Sequence, residues 1–282
     1  MLAPAKINLD LLITGRRDDG YHLLDSIVVF TELGDHLTAE ISDKLSLNIS
    51  GPFADGLKAD ENNLIIKAAN LICDNAGISP NIKFNLVKNL PISSGIGGGS
   101  ADAAAALKLC MELLAININE KILNHIALKL GADVPVCLIS ETSHMQGIGE
   151  KITKINFKTP LHILLVNPMI SVSTPNIFNQ YAKLSTGFDQ NRLLTTKEIH
   201  LPLMLDILKV SGNSLSEAAL NVEPEIYKVL QALSETQGIL LTRLSGSGAT
   251  CFALYDNKEN CLNAANKLKI DRPNWWICNT KT

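Results

Sequence analysis

Apolar and polar residues alternate through the first fifty residues in the way that is typical of β-strands. Residues 5–14 and 23–31 predict two strands, and the polar segment from Gly15 to Tyr21 predicts a turn between them. Short runs rich in β-branched or alternating residues predict two further strands at 36–41 and 45–50. Similar runs predict later strands at Ile82–Val87, Leu161–Val166, Ile239–Leu244 and Thr250–Tyr255.

Between these strands, apolar residues recur every three to four positions, which is the spacing of an amphipathic helix. The clearest case runs from Asn63 to Ala76, and Gly77 ends it. Residues 186–200 are polar and predict an irregular surface loop. The other predicted helices are Ala101–Leu114, Asn119–Leu130, a short helix containing Phe178, Leu201–Leu208, Pro224–Thr236 and Glu259–Leu268. Strands therefore alternate with helices along much of the chain.

Length and composition exclude several classes of protein. The 282 residues indicate two domains or one large one, at about 150 residues per domain. We expect two, with the boundary near residue 155. The net charge is −3 and no basic stripe is visible, which argues against a nucleic-acid partner. No stretch of about 20 apolar residues could span a bilayer. The first residues lack the pattern of a signal peptide, so we expect a cytoplasmic protein with no membrane partner.

The cysteines and histidines lack the spacings of metal sites. The six cysteines lie far apart without a CxxC pair, and the six histidines show no HxxH or HExxH spacing. We therefore expect buried free thiols in a reducing compartment and no metal ligands from the protein. Disulfides or a metal site are the less favoured alternative.

The most informative segment runs from Gly95 to Ala106, where four glycines in five residues lead into an alanine-rich helix. Glycine costs about 0.5–1 kcal/mol relative to alanine inside regular structure. Such a cluster is therefore expected where side chains would obstruct a ligand. Backbone N–H groups and the positive end of the helix dipole would point to one place, which suits a phosphate group.

Three rivals to this interpretation are weaker. A Walker A loop needs Gly-Lys-Ser/Thr at its end, and the chain has no such tripeptide. A dinucleotide-dependent oxidoreductase needs a third glycine where Ser100 stands, and a strand after the helix where Asn119–Leu130 predicts another helix. A flexible turn with close helix packing is the plain structural alternative, and the density of glycine disfavours it.

Three further segments narrow the choice when they are combined with the glycine loop. They are Pro4-Ala5-Lys6-Ile7-Asn8-Leu9, Leu130-Gly131-Ala132-Asp133-Val134-Pro135 and Leu244-Ser245-Gly246-Ser247-Gly248-Ala249-Thr250. In order and spacing the four segments resemble the motifs of the GHMP small-molecule kinases along nearly the whole chain. The resemblance implies a two-domain α+β fold, with a ribosomal-S5-like ATP domain at 1–155. A ferredoxin-like α/β sandwich at 156–282 would contribute to the substrate pocket.

Two segments resemble one branch of that family. They are Gly15-Arg16-Arg17-Asp18-Asp19-Gly20-Tyr21-His22 and Thr174-Pro175-Asn176-Ile177-Phe178. The resemblance implies phosphorylation of the 2-hydroxyl of 4-(cytidine 5′-diphospho)-2-C-methyl-D-erythritol, in non-mevalonate isoprenoid precursor synthesis. The alternatives are a mevalonate- or homoserine-type acceptor on the same fold, or a binding module without catalysis.

The resemblance also implies ATP as co-substrate, with Mg²⁺ held mainly by phosphates and water. The implied nucleotide-binding residues are Pro91, Ser94, Gly95, Ile96, Gly97, Gly98, Gly99 and Ser100. The chain departs from the family pattern in Ile92-Ser93-Ser94, where small Gly or Ala residues are usual. It departs again at Ala101, where a second serine is common.

Asp133 matches the catalytic aspartate of the family, and the resemblance places Lys6 beside it. Asp133 would accept the proton of the substrate hydroxyl, and Lys6 would stabilise the charge of that carboxylate and help orient the hydroxyl. From the residues alone, a turn aspartate that binds its own backbone and a surface lysine are the commoner interpretations. The presence of both Lys6 and Asp133 disfavours a binding module without catalysis, because such a module needs no proton acceptor.

The substrate-binding residues follow the same resemblance. Asn8 lies on the same strand face as Lys6 and would bind the same end of the substrate. Tyr21 and Phe178 would stack on the cytosine ring, although Phe178 could instead anchor its helix in the core. His22 would bind polar atoms of the base, and Thr174 and Pro175 would line the sugar or diphosphate. The turn at Gly246–Ala249 lies near the phosphates or lets two backbones pack closely, and we expect a monomer or weak homodimer.

Overall fold

The computed structural model describes residues 1–184, 187–194 and 196–282. In these residues the strands are β1 (Leu2–Asn8), β2 (Leu12–Arg16), β3 (His22–Ile41), β4 (Ser46–Ser50), β5 (Ile82–Val87), β6 (Ser143–Gly147), β7 (Lys151–Lys154), β8 (His162–Asn167), β9 (Ile239–Leu244), β10 (Cys251–Tyr255) and β11 (Trp276–Lys281). The helices are α1 (Leu64–Ala76), α2 (Gly98–Leu113), α3 (Glu120–Leu130), α4 (Val134–Ile139), α5 (Thr174–Leu184), α6 (Leu201–Val210), α7 (Ser216–Val222), α8 (Glu225–Ser234) and α9 (Lys258–Asp271).

Most of the predicted elements are confirmed, but two strand boundaries near the start were wrong. The strands predicted at 23–31 and 36–41 are one strand, β3. Gly34 lies inside this strand, and a Cβ atom there would lie 2.3 Å from the backbone oxygen of Ala3. Gly34 therefore allows a close backbone approach between two strands.

The strand predicted at 5–14 is divided into β1 and β2. Asp10 lies in the gap between them and is fully buried. One of its carboxylate oxygens accepts a hydrogen bond from the N–H of Ile27 at 2.7 Å, and the other pairs with the guanidinium of Arg192. The need to satisfy a buried carboxylate thus interrupts an otherwise continuous apolar run.

The contacts divide the chain into two compact units. The first unit comprises Met1–Lys6, Leu33–Ile92 and Gly97–Ser140. In it, β4 pairs in parallel with β5, and β5 pairs antiparallel with the second half of β3. Helices α1 and α2 pack against each other, and α4 packs on α2. The consecutive alanines of α2 are buried, and their small side chains allow neighbouring helices to approach closely.

The second unit comprises Ile7–Glu32, Ser93–Ile96 and Glu141–Thr282. It contains an antiparallel sheet in which the first half of β3 pairs with β2 and β6, and β6 pairs with β7. A second antiparallel sheet has the strand order β11-β8-β10-β9. Helices α5 to α8 lie between β8 and β9 in the chain, and α9 lies between β10 and β11. This βαββαβ order is the ferredoxin-like arrangement.

The predicted boundary between 1–155 and 156–282 stays a prediction, since each contact unit is built from separated segments. The loop predicted at 186–200 falls partly outside the described residues, at 186 and 195. None of the described helices has the length and apolar character needed to cross a membrane. All six cysteines are free, and five of them are buried.

Candidate active site

The amino end of α2 presents backbone N–H groups that have no acceptor inside the helix. Gly97 caps the helix in a left-handed conformation with φ of +67°, and no side chain caps the helix. The first N–H to find an intrahelical acceptor is that of Ala101, which donates to the Gly97 oxygen at 2.8 Å. The N–H groups of Gly98, Gly99 and Ser100 precede it and have no acceptor within the helix. The first turn carries no acidic residue, so this end of the helix suits an anion.

One of the glycines in this turn, Gly99, leaves space that the fold does not require. Gly98 and Gly99 do not have positive φ. A Cβ atom at Gly99 would meet nothing nearer than a methyl group of Leu64 at 3.5 Å, and Gly99 is exposed. Neither backbone strain nor packing explains a glycine at this position, although alanine is the better helix former. A glycine here leaves open space beside the N–H groups.

Lys6 and Asp133 form an ion pair beside the same helix end. The Nζ atom of Lys6 lies 2.7 Å from Oδ2 of Asp133, and the lysine side chain is 4% exposed against 32% for the aspartate. A Cβ atom at Gly97 would lie 3.1 Å from Cβ of Lys6. The first unit therefore brings together three features predicted from separate segments: the lysine, the aspartate and the glycine loop.

The turn before α4 positions Asp133. Gly131 ends α3, and Asp133 immediately precedes α4, where Pro135 stands near the start of the helix. One turn into α4, burial raises the pKa of the Cys137 thiol, and the charge of Asp133 raises it further. The thiol is therefore neutral, and Asp133 is the partly exposed acid on this side of the site.

Behind the glycine turn lies a buried charged cluster that sequence reasoning missed. The Nζ atom of Lys88 donates to Oδ2 of Asp35 at 2.5 Å and to Oδ2 of Asp102 at 2.7 Å. All three residues are buried. A Cβ atom at Gly98 would lie 3.1 Å from Nζ of Lys88. The feature of the sequence that could have indicated this cluster is Asp102, an acidic residue inside a run of alanines that are buried in the structure.

The first part of the glycine loop packs against the second glycine turn, within the second unit. A Cβ atom at Gly95 would lie 2.5 Å from the oxygen of Ser245 and 2.7 Å from that of Gly248. The Ser245 hydroxyl donates to the Gly95 oxygen at 3.0 Å, and the N–H of Thr250 donates to the Ser94 oxygen at 3.0 Å. Close packing of two backbones is therefore a role of this turn.

Asn213, which sequence reasoning also missed, holds the second glycine turn in place. Its side-chain amide donates to the oxygens of Leu244 and Gly246 at 2.9 and 2.8 Å. Among the predicted nucleotide-binding residues, Pro91 and Ile96 are buried. Only their backbone atoms remain for a ligand, so their side chains act through packing.

His22 and Phe178 form the aromatic contact of the second unit. Their rings stack with centroids 5.0 Å apart, and Tyr181 meets His22 edge-on at 5.9 Å. Burial, with a smaller contribution from Arg16, lowers the pKa of His22. Tyr21 is 60% exposed, and in the described chain its ring makes no aromatic contact. The structure thus pairs Phe178 with His22 and leaves the Tyr21 ring accessible.

Thr174, Pro175 and Asn8 take different positions in the second unit. Thr174 and Pro175 begin α5 and are exposed. The Thr174 hydroxyl hydrogen-bonds the Ser247 hydroxyl at 2.8 Å, which joins α5 to the second glycine turn. Asn8 is buried and its amide donates to the Ser26 hydroxyl at 2.8 Å. Its Oδ1 atom has no hydrogen-bond partner within the described residues.

Comparisons with known proteins agree with this arrangement. Residues 63–141 match the model of the GHMP kinases N terminal domain, and residues 197–272 match that of the GHMP kinases C terminal. The 4-diphosphocytidyl-2-C-methyl-D-erythritol kinase of Paramagnetospirillum magneticum is 42% identical over 276 residues, which cover 98% of this chain and 95% of that protein. The protein of the same name from Ruegeria pomeroyi is 43% identical over 278 residues, covering 97% and 95%.

The chain belongs to the GHMP kinase family. A crystal structure of a 4-(cytidine 5′-diphospho)-2C-methyl-D-erythritol kinase matches this kinase with a TM-score of 0.77 and 28% identity, over 100% of this chain and 98% of that one. A homoserine kinase from Cytophaga hutchinsonii matches with a TM-score of 0.70 at 20% identity, which shows a shared fold. The predicted two-domain α+β GHMP kinase fold and the assignment as a small-molecule kinase are confirmed.

Proposed function

We propose that this kinase transfers the γ-phosphoryl group of ATP to the 2-hydroxyl of 4-(cytidine 5′-diphospho)-2-C-methyl-D-erythritol. Relatives that are 42–43% identical over nearly the whole chain carry the name of that kinase. The single structural observation that carries the proposal is the Lys6–Asp133 pair beside the uncapped start of α2. A carboxylate that could accept the hydroxyl proton and an anion site for phosphates therefore occur together in one unit.

Each group has a defined task in this reaction. The N–H groups of Gly98, Gly99 and Ser100 would donate to phosphate oxygens, whose negative charge the helix dipole also favours. Asp133 would accept the proton of the attacking hydroxyl as its oxygen bonds to the γ-phosphorus and the bond to ADP breaks. Lys6 fixes the carboxylate through its 2.7 Å contact and supplies positive charge close to the reacting oxygens.

The second unit supplies the residues proposed for the cytidine end. Tyr21 is exposed and free to stack on a base, and the stacked His22–Phe178 pair offers a rigid aromatic surface. Because burial lowers the pKa of His22, its ring is neutral near pH 7 and can donate or accept a hydrogen bond. The exposed Thr174 and Pro175 would line the sugar or diphosphate, and the unpartnered oxygen of Asn8 is an acceptor for a substrate hydroxyl.

Mg²⁺ would neutralise the phosphates when bound with the nucleotide. No group of three or more possible ligands occurs among the His, Cys, Asp and Glu residues that the structure describes. Near the helix end, Asp35 and Asp102 are buried against Lys88, while Asp133 pairs with Lys6. These residues fit an ion coordinated mainly by phosphates and water. We further propose a cytoplasmic monomer or weak homodimer without nucleic-acid or membrane partners.

The test of the proposed proton acceptor is Asp133→Asn. The substitution keeps the shape of the side chain and removes the proton acceptor. We expect kcat to fall about 100-fold or more, while the Kd for ATP stays close to that of the unaltered protein. Steady-state kinetics and ATP titration measure the two quantities. Full turnover in this variant would exclude Asp133 as the proton acceptor.

The test of the phosphoryl acceptor compares ADP release with different alcohol substrates at the same ATP concentration. We expect efficient ADP release with the cytidine diphosphate substrate and none above background with mevalonate or homoserine. The control is Asp133→Asn protein, in which turnover should be about 100-fold lower or more with any acceptor that the unaltered protein uses. Preferential turnover of mevalonate or homoserine would reassign the substrate while leaving the phosphoryl-transfer site intact.

A further inference from the structure

We propose that Asp102 is a proton-linked positioning residue of the nucleotide site, which holds the start of α2 and takes up one proton when nucleotide phosphates bind there. The inference rests on the proposed function, because it takes ATP as the ligand at this helix end. Asp102 touches neither the reacting atoms nor the ligand. It acts through Lys88 and through the charge that it places behind the glycine turn.

The geometry places this cluster next to the proposed phosphates. Asp102 is the fifth residue of α2, so it lies about 6 Å along the helix axis from Gly98. A Cβ atom at Gly98 would lie 3.1 Å from Nζ of Lys88 and 3.5 Å from Oδ2 of Asp35. The buried charges thus lie close to the backbone that would donate to phosphate, within reach of a single added methyl group.

The two carboxyl groups of the cluster are not equivalent. Oδ1 of Asp35 accepts hydrogen bonds from the N–H groups of Asn89 and Leu90 at 2.6 and 2.9 Å, and Oδ2 accepts from Lys88. Asp102 accepts only from Lys88, and its buried Oδ1 atom has no partner in the part of the chain that the structure describes. Three donors therefore bind the carboxylate of Asp35 and only one binds that of Asp102, so we assign the proton uptake to Asp102.

The charge of the cluster then depends on one proton. With Lys88 charged and both aspartates ionised, the cluster carries a net charge of −1. Protonation of Asp102 makes it neutral. A buried negative charge behind the helix start stabilises that helix end when no ligand is bound, but it repels phosphates. Binding of a nucleotide therefore favours the protonated form, and the proton comes from solvent and returns there when the nucleotide leaves.

The neighbouring groups support this assignment. Burial raises the pKa of Asp102 to about 7, and the effect of the neighbouring Asp35 adds to burial while that of Lys88 opposes it. On α4, the Cys137 thiol is close enough for its pKa to be raised by the charge of Asp102, although burial is the larger cause. On α1, Cys73 interacts with Cys110, two turns further along α2. The remaining ionisable residues of α1 and α3 are exposed: Lys67, Asp74, Glu120, Lys121, His125 and Lys129.

The experiment compares ADP binding to the unaltered protein and to Asp102→Asn by calorimetry between pH 6 and pH 8.5. With a pKa of about 7 for Asp102 in the free protein, a requirement for its protonated form weakens binding about tenfold between pH 6 and pH 8. Asp102→Asn imitates the protonated carboxyl group and should lack this decline. Titration of the ADP phosphates affects both proteins equally, so the difference between the two profiles isolates Asp102.

The matched control is Asp74→Asn, which removes an exposed carboxylate from α1 of the same unit. It should keep the pH profile of the unaltered protein. Calorimetry of the unaltered protein at pH 8 in buffers of different ionisation enthalpy should also report more protons taken up per ADP bound than in Asp102→Asn.

Parallel pH profiles for the unaltered protein and Asp102→Asn would overturn the inference and leave the proposed kinase function intact. Absence of ADP binding at every pH would instead contradict the proposed function. If Asp102→Asn does not fold, infrared difference spectra of the unaltered protein at pH 8 decide the question. A protonated carboxyl band that appears on ADP addition supports the inference, and its absence refutes it.

Discussion

Replacement of Gly99 by alanine should make the protein more stable and the nucleotide site weaker. Gly99 lies in the first turn of α2 without positive φ, and a Cβ atom there would have its nearest neighbour at 3.5 Å. The added methyl group therefore causes no clash inside the protein. Alanine restricts the unfolded chain more than glycine does, so the free energy of unfolding should rise by about 0.5–1 kcal/mol.

The same methyl group would occupy space beside the N–H groups that we propose for the triphosphate. We expect the Kd for ATP to rise at least tenfold, which corresponds to about 1.4 kcal/mol of lost binding free energy. Urea denaturation measures the stability and calorimetric titration measures the affinity. The distinctive outcome is a higher stability together with a lower ATP affinity, because a damaged fold would lower both quantities.

Two other glycines provide controls for Gly99→Ala. Gly77 ends α1 with φ of +69° and has no atom within 4 Å of its Cβ position. Gly77→Ala should lower stability by about 1 kcal/mol and leave ATP affinity unchanged. At Gly95, a Cβ atom would meet backbone oxygen at 2.5 Å, so Gly95→Ala should destabilise the second unit. Unchanged ATP affinity in stable Gly99→Ala would refute the backbone phosphate site.

Two further substitutions separate catalysis from substrate binding. Lys6→Met should lower kcat at least tenfold while the Kd for ATP changes less than threefold, because the lysine contacts Asp133 at 2.7 Å. Equal losses of turnover and of ATP affinity would show that Lys6 binds nucleotide instead. Tyr21→Ala should weaken binding of the cytidine substrate by about 1–3 kcal/mol and leave ATP binding unchanged. The free energy of unfolding should change by less than about 0.5 kcal/mol, because the side chain is 60% exposed. Equal weakening of both ligands would place the tyrosine ring in another pocket.

The sequence pattern was sufficient for the elements that form locally. The stripe of apolar residues in α1 and its stop at Gly77 correspond to the observed helix and its left-handed cap. The helix after the glycine loop is also present, although it begins at Gly98 and not at the predicted Ala101. These features depend on periodicity, propensity and capping, which are properties of neighbouring residues.

Features that depend on distant residues were missed or misjudged. The strands predicted at 23–31 and 36–41 are one strand, β3, in which Gly34 leaves room for the backbone of Ala3 from another strand. Asp10 reads as one polar residue in a strand, but its burial opposite Arg192 interrupts that strand. Local periodicity carries no information about which residue will arrive from elsewhere in the chain.

In the candidate site, too, some residues could be predicted from the sequence and others could not. The resemblance to GHMP kinases placed Lys6 beside Asp133, but nothing in the local sequence of Lys88 indicates that its ammonium lies between two carboxyl groups. Asn213 likewise gains its importance from the carbonyl groups of the second glycine turn. Such residues act through partners far away in sequence, so their roles emerge only from the folded structure.

The most direct test of the phosphate site is a crystal structure with a non-hydrolysable ATP analogue. We predict hydrogen bonds from the N–H groups of Gly98, Gly99 and Ser100 to the phosphate oxygens, with the carboxylate of Asp133 facing the terminal phosphorus. A triphosphate bound away from the start of α2, with those N–H groups still open to solvent, would contradict the account.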